Sequence, residues 1–121
     1  MAYIVQDVEH KKLGRSVGSG ECVALVQGWA HAPHTSLWHQ GTQVKGNDHL
    51  ISKGTAIATF VDGKYPNHAH GNHAAFYMGQ DATGIQVVDQ WHGQVSHRRT
   101  IRFDGHHTSL SNDGNAYYVI E

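Results

Sequence analysis

Along this chain the apolar positions change period once. From Ser19 the residues Val23, Val26, Gln27 and Ala30 follow at helical spacing, with Ser19 placed to cap and Glu21 in the first turn, where the helix dipole favours an anion. The spacing predicts a helix over about residues 19–31. The lead-in AYIVQDV (2–8) reads as a short strand or an ordered extended segment, and Ser36–Gln40 as a short helical turn. From Thr55 onward the period drops to two. Thr55–Val61, His73–Met78, Ile85–Trp91, Val95–Phe103 and Ala116–Ile120 read as five strands, separated by turn signals such as GQDATG and SNDGN. One helix followed by an antiparallel meander is an α+β pattern, with the helix packed on one face of the sheet.

Composition narrows the function. The 121 residues suit a single domain over 1–121, and 39% hydrophobic content suffices for one core. Nine Lys+Arg against ten Asp+Glu leave a net charge of -1, without the basic footprint of a nucleic-acid binder. No apolar run approaches the about 20 residues that span a bilayer, and no basic amphipathic stretch suggests a membrane surface. MAYIVQDVEHKK lacks the basic and apolar regions of a secretory signal, so the chain is expected to be made in the cytoplasm and to need a signal-independent route if it acts outside. One cysteine excludes an intramolecular disulfide, and twelve histidines make the charge strongly pH-dependent.

That cysteine, Cys22, lies in GSGECVALVQ, where a glycine-rich turn becomes the helix. A helix N-terminus and a neighbouring imidazole both lower a thiol's pKa, and free N–H groups at that turn suit an oxyanion. Equally, a lone cysteine is often a small buried hydrophobe. The rest of the pattern favours the nucleophile. His73 opens the small-residue strand HAAFYM, and Asp89 interrupts the apolar strand IQVVDQW, where a carboxylate needs a partner. A tight Gln80–Gly84 turn puts His73 and Asp89 at the same end of one hairpin, as nucleophile–base–orienter chemistry requires.

The phrases GECVALVQ, GTAIATF, GNHAAFYMG and IQVVDQW, in that order over about residues 15–92, resemble the active-site segments of papain-like cysteine peptidases and amidases of bacterial cell walls, the NlpC-type and CHAP families above all. In size and leaderless character the chain is also similar to amidase effectors delivered by type VI secretion. The resemblance implies a papain-like fold and cofactor-free hydrolysis of an amide in peptidoglycan stem peptides, after export to the periplasm of a target cell. It brings in a cognate immunity protein as a candidate partner. Cys22 would be the nucleophile, His73 the base and Asp89 the orienting residue. Gln90 competes with Asp89 for the third role, because neighbours on a strand face opposite ways; the alternation Ile85, Val87, Asp89, Trp91 favours Asp89. Gly20, Glu21, Trp38, His70, Gln90 and Trp91 are expected to line the substrate groove.

Two rivals stand beside this reading. His68, His70, His73 and His106–His107 offer imidazoles to a metal, but no H-E-x-x-H, CxxC or nearby acidic ligand supports them. A binding module of the same fold could use the aromatic residues as its surface, although Trp29 is expected to pack the helix on the sheet. GRSVGSG lacks the context of a phosphate loop. Arg98, Arg99 and Arg102 could meet an acidic stem peptide; the default is that they solvate an outward face.

Overall fold

The helix, α1, runs Cys22–Ala30 and ends on His31 in the left-handed conformation, φ 57°. It starts later than the spacing predicts. Ser19 does not cap it: the Ser19 hydroxyl accepts the Glu21 N–H at 3.4 Å, and Glu21 holds the N-cap position with extended backbone. Gly18 and Gly20 take positive φ values of 59° and 88°, which turn the chain before the helix begins. Cys22 is therefore the first helical residue. The structure, a computed structural model, describes residues 2–66, 68, 71–104 and 109–121.

Six antiparallel strands form one sheet: β1 (Gln40–Gln43), β2 (Ala56–Thr59), β3 (Ala74–Gln80), β4 (Gly84–Trp91), β5 (Gln94–Arg102) and β6 (Tyr117–Ile120), in the order β1-β6-β2-β3-β4-β5. The five expected strands are all present with ends shifted by up to two residues. The simple meander is not. β2 to β5 are sequential neighbours, but β6 returns to lie between β2 and β1. β1, QGTQ, was not foreseen because it has no apolar alternation; its place comes from pairing with β6. The helical turn expected at Ser36–Gln40 is a 3-10 turn at Thr35–Leu37. The lead-in is ordered, not a strand: Ile4 makes an isolated bridge to Thr55, and Val5 and Val8 are buried.

The period of two in the strands separates two cores. Ala56, Ala58, Ala74, Phe76 and Val88 face α1 and meet Leu25 and Val26, while Trp29 of the helix stacks on Phe76 at 5.8 Å. Ile57, Ala75, Tyr77, Ile85, Val87, Ile101 and Tyr117 form the core on the opposite face. Both faces of the central strands are covered, which is why β2 is buried at every position. The alanines opposite α1 let the helix approach closely, so its N-terminus reaches the end of β3 and β4. Among the described residues no helix is long and apolar enough to cross a membrane.

Candidate active site

The end of β3 and the N-terminus of α1 meet beneath a cleft of about 900 Å³. His73, just before β3, is held by its backbone. Its N–H donates to the Thr59 hydroxyl at 3.0 Å, and its carbonyl accepts from the Thr59 N–H at 3.0 Å. Its ring is buried, and Nε2 lies 2.7 Å from Asp89 Oδ2. Cys22 interacts with the same ring. With Nε2–H donated to Asp89, Nδ1 is the nitrogen left for the thiol. The predicted trio Cys22, His73 and Asp89 is thus brought together in that order.

Electrostatics reinforce the geometry. Burial pushes the Cys22 thiol up, but its hydrogen bond to His73, the charge of that ring, the Ala74 N–H and the Tyr65 hydroxyl outweigh it, and the thiol titrates below its ordinary value. Burial pulls His73 down, but hydrogen bonds to Asp89 and to the thiolate outweigh it, so the imidazole holds its proton above its usual range. Asp89 is fully buried, yet His73 and Arg99 keep its carboxyl below the ordinary carboxylate value despite that burial. Opposite shifts on a thiol and an imidazole in contact are the signature of a thiolate–imidazolium pair.

Asp89 and Gln90 take separate tasks from adjacent positions. Asp89 serves His73. Gln90, fully buried on the opposite face, grips the turn before the helix: its Oε1 accepts the Val17 N–H at 2.9 Å, and its Nε2 donates to the carbonyls of Val17 and Glu21 at 2.9 and 2.8 Å. It does not line the cleft, so the groove role expected for it is replaced by a hold on the backbone that carries Cys22. Gly20 is likewise a buried turn residue, not part of the lining. Trp38 is not in the groove either. It is 3% exposed, donates its indole N–H to the Pro33 carbonyl at 3.0 Å and packs edge-on to Tyr65 at 4.8 Å, because its loop folds under the helix-side core. Glu21, Trp91 and His68 do line the cleft. His70 lies outside the described residues, as do His106 and His107 of the metal reading. His73 is committed to Asp89 and Cys22.

Three contributors were not foreseen. Tyr65 places its hydroxyl 3.9 Å from Cys22 Sγ, and burial with the adjacent thiolate charge keeps that hydroxyl protonated. It comes from a loop between β2 and β3 with no periodicity to betray it. Thr59 was read only as a strand residue. Arg99, assigned by default to an outward face, donates Nε to Asp89 Oδ2 at 2.7 Å. A bulge between Asp89 and Trp91 explains the miss. The Trp91–Gln94 register, continued without it, would set Asp89 opposite Ser96; the bulge sets it opposite His97 and makes Arg99 its diagonal neighbour. Arg98 and Arg102 are exposed, as expected.

The arrangement suits acyl transfer. Cys22 and Val23, at the start of α1, have N–H groups without intrahelical acceptors, and the Tyr65 hydroxyl stands beside the sulfur. Comparison with known proteins gives the family. The family described as Domesticated amidase effector 2 matches residues 2–120. The chain belongs to this family. Over the full length of both chains it is 39% identical to the Type VI secretion amidase effector 2 protein of Salmonella typhi. It is 38% identical to the Domesticated amidase effector 2 of Ixodes scapularis, over 87% of this chain and 73% of that one. A solved structure of Type 6 secretion amidase effector 2 superposes with a TM-score of 0.85 at 41% identity, covering 98% of this chain and 94% of the other. The α+β architecture is thus shared with that effector.

Proposed function

We propose that this protein is a cysteine amidase that cuts a peptide bond in peptidoglycan stem peptides and reaches its target cell through type VI secretion. The observation that carries the chemistry is the Cys22–His73–Asp89 line on a wide cleft, with the thiol shifted down and the imidazole shifted up. The names of the relatives, amidase effectors, support the class of bond and the route of delivery. The cell-wall substrate follows from the resemblance to peptidoglycan amidases. A cognate immunity protein would be the partner of such an effector in the producing cell.

The steps follow from the geometry. The Cys22 thiolate attacks the carbonyl carbon of the scissile amide. The oxyanion that forms is met by N–H groups at the start of α1 and by the Tyr65 hydroxyl. His73, holding the proton, gives it from Nδ1 to the leaving amine, and the C–N bond breaks to leave a thioester on Cys22. Neutral His73 then takes a proton from water as its oxygen attacks the thioester carbonyl; the C–S bond breaks, the acid leaves, and Cys22 returns as a thiolate beside protonated His73. Asp89 keeps Nε2–H engaged throughout, so the lone pair of neutral His73 stays on the side of the sulfur.

The test is digestion of purified peptidoglycan by the wild type and by Cys22→Ala, with soluble fragments identified by mass spectrometry. New stem-peptide fragments from the wild type alone are expected, and they name the bond. No fragments from a folded wild type would overturn the reading in favour of a non-catalytic binding module.

A further inference from the structure

Arg99 does more than hold Asp89. It lines the cleft together with Cys22, His73 and Trp91. Its guanidinium is fixed on two sides: Nε donates to Asp89 Oδ2 at 2.7 Å, and the planar group lies over the Trp91 ring at 5.0 Å. The side chain is 22% exposed, so a part of it remains open to solvent. A guanidinium has five N–H donors in a rigid fork. Among the described residues the hydrogen bond that Arg99 makes uses Nε, which leaves the Nη edge for a ligand in the cleft. Fixed by Asp89 and Trp91, that edge is preorganised for a planar bidentate acceptor, and a carboxylate fits it.

The position of Arg99 says which half of the substrate it meets. Arg99 Nε and His73 Nε2 donate to the same oxygen of Asp89, each at 2.7 Å, so the two side chains stand within two hydrogen-bond lengths of one another. His73 is the group that faces the leaving amine. Glu21, the only acidic side chain among those lining the described cleft, directly precedes Cys22 in the chain. An anionic group is therefore repelled by Glu21 and attracted by Arg99; the remaining ionisable residues of the lining are Tyr65, which keeps its proton, and the histidines His34, His68 and His92.

Resting on the amidase reading above, we infer that Arg99 is a specificity-determining residue that binds a free carboxylate carried by the amine half of the scissile amide, close to the bond cut. The substrate class is narrowed accordingly. In an ordinary internal peptide bond the carboxyl group of the amine half is itself tied up in the next amide. A free one marks a terminal residue or an amine that belongs to a side chain.

The experiment uses synthetic peptides built around the bond that digestion identifies, identical except that the amine-half carboxylate is the free acid or the primary amide. Release of the amine is followed for the wild type, Arg99→Gln and Arg99→Lys. A charge-assisted pair of this kind predicts that the wild type prefers the acid by about 10- to 100-fold in kcat/KM. Arg99→Gln is expected to lose that preference, to less than about threefold, over and above a loss common to both peptides from its weakened hold on Asp89. Arg99→Lys keeps the charge without the fork and should fall between; it also stands in if the glutamine variant does not fold. Equal cleavage of acid and amide by the wild type overturns the inference. So does a folded Arg99→Gln or Arg99→Lys enzyme that is slower on both peptides with an unchanged ratio, because Arg99 would then act only through Asp89. Failure of the wild type to digest peptidoglycan at all overturns the amidase reading itself, and this inference with it.

Discussion

Replacing Asp89 by asparagine tests the site at its least exposed point. The carboxylate is fully buried and accepts from His73 Nε2 and Arg99 Nε, both at 2.7 Å on one oxygen. The shape survives in Asp89→Asn, and the charge does not. Arg99 Nε can only donate, so the asparagine oxygen should stay at that point and the ring should keep its tautomer. What is lost is a hydrogen bond from a charged donor to a charged acceptor, worth about 1.5–3 kcal/mol. At 1.36 kcal/mol per unit this lowers the His73 pKa by about 1–2 units. The signs follow. His73 is raised in the native protein, so in the wild type the imidazolium persists above its ordinary range; in the variant the alkaline limb of kcat/KM moves down in pH. The acid limb is set by Cys22 beside an imidazolium that is still protonated there in both proteins, so it should stay near its place. The pH window narrows from the alkaline side, and kcat/KM at neutral pH falls about 10- to 100-fold. An inverted tautomer would cost about 10⁴-fold instead. Two assays read this: the pH profile of amide hydrolysis and that of Cys22 alkylation by iodoacetamide. Thermal unfolding adds a check. The native Asp89 carboxyl is lowered, so its stabilisation is present above the unfolded value of about 3.9 and vanishes as pH falls through the native value. The difference in Tm between wild type and variant should therefore shrink in acid. A folded variant whose alkaline limb stays in place and whose rate stays within about threefold of wild type would refute the assignment of Asp89 as the residue that orients His73.

Gln90→Met keeps the volume and removes the hydrogen bonds to Val17 and Glu21. It should cost about 2–4 kcal/mol in urea unfolding and slow Cys22 alkylation in the folded state, since the turn that carries the sulfur loses its anchor. Full reactivity in a folded variant would show that the grip does not position Cys22. Trp38→Ala should cost about 3–5 kcal/mol of stability with KM unchanged at temperatures where the variant is folded, as a core aromatic does. A raised KM with little loss of stability would return Trp38 to the groove.

Much of the site was legible because its parts are local. Cys22 stands at a glycine turn leading into an apolar helical stripe, and a turn followed by period 3.6 leaves a helix few other starting points. His73 and Asp89 lie on adjacent strands joined by a short turn, so the hairpin alone puts them at one end. The choice between Asp89 and Gln90 followed from the period of two, since Val87 and Asp89 share a face while Gln90 takes the other. The groove was less legible. Trp38 and Gln90 were read as lining because an aromatic in a loop and an amide beside a catalytic residue look the same from sequence, whether they point to solvent or inward.

What the sequence determined by itself is what depends on neighbours in the chain: the helix, five of the strands, the α+β class, and the placing of His73 and Asp89 at one end of a hairpin. Periodicity and turn chemistry act over a few residues and can be read there. What only the tertiary structure decided depends on partners far along the chain. β1 has no apolar pattern and exists because β6 offers it an edge. β6 lies between β1 and β2 because the edge of β2 offers it unpaired backbone groups, not because any local signal sends it back. Tyr65 reaches Cys22 across 43 positions, and the fully buried Gln90 reaches Val17 across 73. Arg99 joins Asp89 only because one bulge, an extra residue of β5 between Gln94 and His97, moves the register of the hairpin by a residue. A one-residue shift reassigns every cross-strand neighbour beyond it, and nothing in the alternation of apolar and polar positions records it.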